Sequence, residues 1–69
     1  MENAEYKVTL EAARVNAGLS VEMASSKIGI SKSTLARYEK GKTSPTMYTL
    51  LRMCKVYNVP LGSISLPCV

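Results

Sequence analysis

Gly29-Ile30-Ser31-Lys32-Ser33-Thr34-Leu35-Ala36-Arg37-Tyr38-Glu39-Lys40-Gly41 is the stretch that decides how this chain folds. Gly29 ends one helical pattern, Ser31 can cap the next, and Ile30 alone lies between them. A connection this short, glycine first and a capping serine last, forces two short helices to cross steeply and leaves the second one projecting. Along that second segment Leu35 and Tyr38 fall on the inner face, Lys32, Ser33, Ala36 and Arg37 on the outer one, and Gly41 closes it.

Working outward, the same punctuation recurs. Thr9 can cap a helix from Leu10 to Ala17, ended by Gly18, with Leu10, Ala13 and Ala17 as its apolar face. Ser20 can cap Val21 to Ile28, with Ala24 and Ile28 turned inward. After Lys42-Thr43-Ser44-Pro45, Thr46 can cap the strongest helical period of the chain, Met47 to Tyr57, whose inner face is Met47, Leu50, Met53, Cys54 and Tyr57. Asn58 tolerates the left-handed conformation at its end, and Val59-Pro60 leads into a short final turn or helix from Leu61 to Ile64. The pattern predicts an all-α domain of five helices over residues 9–66, with an N-terminal arm at 1–8 and a proline-interrupted tail at 67–69.

Composition excludes most function classes. The chain has 69 residues, 46% apolar and 20% charged, enough for one core, since a chain of this size buries only roughly 60% of its unfolded surface. Its uncharged apolar runs fall well short of the roughly 20 residues of a membrane span. The start, Met1-Glu2-Asn3-Ala4-Glu5-Tyr6-Lys7, lacks the apolar segment of a secretory signal. A cytoplasmic protein with no membrane partner is expected. Two cysteines, Cys54 and Cys68, without a histidine cannot complete a four-ligand zinc site, so no metal and no cofactor are expected. A buried thiol at Cys54 and a free one at Cys68 are expected in preference to a disulfide. With no His, no Asp and no paired carboxylates, the usual general bases and activated nucleophiles cannot be assembled, and no enzyme is expected.

The net charge of +4 is concentrated in one place. Lys27, Lys32, Arg37, Lys40 and Lys42 face only Glu39 in residues 27–42, whereas elsewhere Lys7, Arg14, Arg52 and Lys55 balance Glu2, Glu5, Glu11 and Glu22. Cations gathered on one face are the footprint of a polyanion-binding surface, because they release counterions from phosphate. The projecting helix of a helix-turn-helix lies in the middle of this stretch, so two independent signals coincide.

With Gly18-Leu19-Ser20, Gly29 to Leu35, Arg37-Tyr38-Glu39-Lys40-Gly41-Lys42 and Ser44-Pro45 in register, the chain resembles the phage repressor and Cro-type (XRE, lambda-repressor-like) helix-turn-helix family over residues 9–64. The resemblance implies a five-helix domain, usually dimeric, that sets its third helix, residues 32–40, in the major groove of a double-stranded operator and regulates transcription. Carried onto this sequence, the base-reading positions are Lys32, Ser33 and Arg37, with Thr34 nearby. Lys32 and Arg37 can donate to the O6 and N7 acceptors of guanine. Phosphate anchoring falls to Ser20, Lys40, Lys42 and Ser44, with Thr43 beside them. Arg14 and Glu39 stand where the family pairs an arginine with a glutamate to brace the first helix against the third. The chain departs from the pattern at Val21, where a phosphate-binding Gln is usual. It departs again at Ala24 and Ser25, where leucine and alanine are usual, which trims the core and places a hydroxyl near the helix crossing.

A homodimer through residues 61–69 is expected, because Leu61, Ile64, Leu66 and Val69 carry more apolar surface than so small a fold can cover. Two other functions compete. One is an antitoxin- or antirepressor-like module acting mainly on a protein partner, favoured by Val21, Met23 and the apolar tail. The other is a structural helical domain that binds no nucleic acid.

Overall fold

A computed structural model describes residues 8–65 of the chain. In order, the elements are β1 (Val8–Thr9), α1 (Leu10–Asn16), α2 (Val21–Ile28), α3 (Lys32–Glu39), α4 (Met47–Tyr57), a 3₁₀ turn (Leu61–Ser63) and β2 (Ile64–Ser65). Each α-helix begins on a hydroxyl: Thr9, Ser20, Ser31 and Thr46 accept the amides of Ala12, Met23, Thr34 and Thr49. A cap of this kind is worth about 1 kcal/mol. Each helix is followed by a left-handed residue, Gly18, Gly29, Gly41 or Asn58. Beyond it, the amides of Leu19, Ile30, Lys42 and Val59 return to the carbonyls of Arg14, Ser25, Arg37 and Cys54 at 3.0 to 3.2 Å, consuming acceptors the helix ends would leave open.

The four helices enclose one core of Leu10, Ala13, Ala24, Ile28, Leu35, Leu50, Met53 and Tyr57. Leu35 is the only buried residue of α3, at 0% exposure, and it pins the projecting helix to the rest. Truncating such a leucine to alanine typically costs about 3 kcal/mol.

The all-α helix-turn-helix architecture is present, but the fifth helix is not. Leu61–Ser63 is a single 3₁₀ turn, since Pro60 precedes it, Gly62 sits inside it, and Ile64 turns extended at φ −89°, ψ 131°. Ile64 and Ser65 then pair in parallel with Val8 and Thr9. This ladder ties the start of the domain to its end, so Val8 belongs to the packed unit rather than to an arm. Ile64, expected on a self-association surface, instead packs half-buried against the core. Two inner-face expectations also fail. Ala17 caps α1 after the helix has ended at Asn16 and is exposed, and Met47, the first residue of α4, is 60% exposed.

Cys54 is buried and unbridged, and burial pushes its thiol pKa up. Residues 1–7 of the expected arm at 1–8, the tail at 67–69, which holds Cys68 and Val69, and Leu66 lie outside the described residues. Among the described residues no helix is long and apolar enough to cross a membrane, and no group of His, Cys, Asp and Glu could hold a metal.

Candidate nucleic-acid interface

The turn between α2 and α3 is tight because one carbonyl serves two amides: those of Gly29 and Ile30 both donate to Ser25, at 2.8 and 3.0 Å. Gly29 sits at φ +93°, a conformation that any Cβ would strain. Ile30 packs against the core, and Ser31 starts α3. The Ser25 hydroxyl is buried, yet it donates to the Glu22 carbonyl at 3.1 Å within its own helix and so does not bridge the crossing.

On α3, Lys32, Ser33, Arg37 and the capping Lys40 are all exposed; helical spacing sets Ser33, Arg37 and Lys40 on one arc opposite Leu35, with Lys32 to one side of it, in the first turn. Thr34 stands off that arc. It is half-buried, its amide donates to the Ser31 hydroxyl at 3.1 Å, and its own hydroxyl accepts from Ser31 at 2.8 Å. The Ser33 hydroxyl lies 3.3 Å from the same Ser31 oxygen and remains exposed.

The far end of α3 is held by Arg14. Its Nε donates to Glu39 Oε2 at 2.8 Å, and a terminal nitrogen reaches Oε1 at 3.4 Å. The hydrogen bond with Glu39 is the main cause that raises the Arg14 pKa, against the opposing effect of burial. Glu39, the only acid of the basic stretch, is thereby neutralised. Lys27, Lys32, Arg37, Lys40 and Lys42 remain exposed, and none forms an ion pair with a described residue. The excess positive charge is therefore presented to solvent, from Lys27 in the last turn of α2 and from the other four cations along and just beyond α3.

The residues expected to anchor phosphate divide into two places. Lys40 and Lys42 flank Gly41, where the Gly41 amide donates to Tyr38 and that of Lys42 to Arg37, at 3.2 and 3.0 Å. Ser44 follows, exposed, and Thr43 is half-buried. Ser20 stands apart at the start of α2, exposed, with its hydroxyl already accepting from Met23. Val21, which occupies the position where Gln is usual, packs against the core.

Sequence reasoning missed Arg52. From α4 its Nε donates to the carbonyl of Ile28, the last residue of α2, at 2.9 Å, and its guanidinium lies 5.9 Å from the ring centre of Tyr48. A cation at a helix C-terminus is favourable, but only the crossing of α4 over α2 brings it there, and nothing in the spacing of the sequence reports that crossing. Tyr57 was assigned to the core, yet the position of its hydroxyl close to the Arg14 and Glu39 charges was equally invisible.

A family model described as helix-turn-helix matches residues 10–64. A curated relative, the cryptic phage CTXphi transcriptional repressor RstR of Vibrio cholerae, is 37% identical over 51 residues, which cover 74% of this chain and 46% of that protein. The chain thus spans less than half the length of this relative. No solved structure matches.

Proposed function

The chain belongs to the helix-turn-helix family, and on that footing we propose that it is a sequence-specific double-stranded DNA-binding transcriptional regulator of the phage or bacterial repressor type, with α3 as its recognition helix. The observation that carries this is the exposed cationic face, without an ion pair among the described residues, on the one helix that the Gly29–Ser31 turn makes project. The relative named as a transcriptional repressor supports the same direction. Lys32, Ser33 and Arg37 read bases, Arg37 and Lys32 favouring guanine, while Thr34 orders the start of the helix more than it reads. Lys40, Lys42, Thr43, Ser44 and Ser20 hold phosphates, and Arg14 with Glu39 keeps α3 in place. The DNA-binding unit is residues 9–66, extended at its start by Val8, and the protein works in the cytoplasm.

Operator binding is by a homodimer formed through residues 61–69, with half-sites about one helical turn, roughly 34 Å, apart on one DNA face. Leu61 is 38% exposed and continues from a shallow groove lined by Leu51, Cys54, Lys55, Asn58, Val59 and Pro60. The antitoxin- or antirepressor-like alternative loses Val21 as a contact because it packs inward, which leaves on its side Met23, at 50% exposure, and the apolar tail, which lies outside the described residues.

Selection of bound sequences from a random duplex library, followed by footprinting, tests the proposal. An enriched motif with two spaced half-sites supports it. Retention of all sequences alike rejects sequence-specific reading, retention of none argues for a protein-binding or structural module, and sedimentation showing only monomer, with single half-sites protected, rejects the dimer.

A further inference from the structure

We propose that Arg52 is a positioning residue for operator recognition, clamping the turn that aims α3 without touching DNA itself; this rests on the reading of α3 given above. The last carbonyls of a helix lack partners within it. In α2, Ser25 already accepts the Gly29 and Ile30 amides, whereas the Ile28 carbonyl points at α4 and takes the Arg52 Nε proton at 2.9 Å. The same guanidinium covers the turn, one terminal nitrogen lying 3.7 Å from where a Gly29 Cβ would sit. Its position is steadied by the Tyr48 ring one helical turn earlier, at 5.9 Å.

This places a donor from α4 at the point where α2 hands over to α3. Arg14 holds the C-terminal end of α3 through Glu39, and Arg52 holds the segment entering its N-terminal end. Lys32 and Ser33 follow the residue of the clamped carbonyl by four and five positions. A base contact needs its donor held in register, so loosening the turn degrades reading before it degrades general attraction to phosphate.

Glutamine isolates this role, because its amide nitrogen is the same number of bonds from Cα as arginine Nε, and it carries no charge. Arg52→Gln can therefore keep the hydrogen bond to Ile28, whereas Arg52→Met, equally uncharged and of similar length, cannot. Affinities of both variants and of Arg52→Lys are measured on the selected operator and on an unrelated duplex, at a temperature where circular dichroism shows each folded. Arg52→Met is expected to lose about tenfold on the operator, as for one misplaced base contact, with the two neutral variants equal on unrelated DNA and Arg52→Gln close to wild type on the operator. Equal operator loss in Arg52→Gln and Arg52→Met overturns the proposal. So does full activity of Arg52→Lys beside a weak Arg52→Gln, which assigns Arg52 to a phosphate.

Amide exchange at Gly29, Ile30 and Ser31 in the DNA-free protein supplies a second readout. Faster exchange in Arg52→Met than in Arg52→Gln supports the clamp, and equal rates overturn it. If the wild-type protein selects no sequence at all, the DNA reading fails on its own, and the exchange rates still decide whether Arg52 fixes the turn.

Discussion

Arg14 and Glu39 join α1 to α3 through a forked pair, 2.8 Å from Nε to Oε2 and 3.4 Å from the second nitrogen to Oε1, while the third nitrogen donates to the Leu19 carbonyl at 3.0 Å. The side chains are only 11% and 8% exposed, so removing one partner strands a charge away from water. Arg14→Ala is expected to cost about 3 kcal/mol, enough to unfold much of so small a domain at elevated temperature. Thermal melts check this. An unchanged midpoint together with lost DNA binding would make Arg14 a contact residue instead.

Gly29 is expected to resist substitution for backbone reasons alone. A Cβ there would meet the Arg52 guanidinium at 3.7 Å, an ordinary contact, but at φ +93° an L side chain crowds its own backbone. Gly29→Ala should therefore destabilise by about 1 to 2 kcal/mol, and Gly29→Asn by less, because asparagine tolerates the left-handed region. Urea unfolding of both variants measures the difference. Equal stability of Gly29→Ala and the wild type would mean that the turn can relax out of this conformation.

Tyr57 predicts a loss of stability in alkali. Its hydroxyl is buried, finds no hydrogen-bond partner among the described residues, and has its pKa raised from 10 to about 12, by burial first and the Glu39 charge second, with Arg14 opposing. The folded state keeps the proton that the unfolded chain gives up near 10. The contribution is thus fully present below pH 10 and is lost as pH rises towards 12, up to roughly 3 kcal/mol. Tyr57→Phe removes an unpaired buried hydroxyl, so it should be at least as stable as the wild type at pH 8 and should lose less between pH 8 and 11. Melts of both proteins at the two pH values decide it; an equally steep decline in Tyr57→Phe assigns the alkaline loss to other groups.

Local signals were legible in the sequence and long-range ones were not. The hydroxyl caps at Thr9, Ser20, Ser31 and Thr46 and the left-handed stops at Gly18, Gly29, Gly41 and Asn58 act within a few residues, so spacing alone located all four α-helices to within a residue at their ends. The pairing of Val8 with Ile64 joins residues from opposite ends of the domain through two-residue strands, too short for any alternation to show. The candidate interface divides in the same way. Helical periodicity alone sets Ser33 and Arg37 side by side away from Leu35, with Lys32 in the first turn beside them, whereas the turning of Thr34 into its own cap and the reach of Arg52 to Ile28 depend on side-chain geometry and on the crossing of α4 over α2.

Reading and holding are expected to separate at Arg37 and Lys42, both exposed, one on the outer arc of α3 and the other just past its end. The affinity of Arg37→Ala for the selected operator and for its single-base mismatches, across a salt series with Lys42→Ala as the reference, is the most direct measurement. Arg37→Ala should lose roughly 1 to 3 kcal/mol on the best operator and relax the preference at one base pair. Lys42→Ala should weaken all sequences alike and lower the salt slope by about one phosphate. An Arg37→Ala protein that binds every sequence more weakly by the same factor, with all base preferences intact, would contradict the assignment of Arg37 as a reader of the operator.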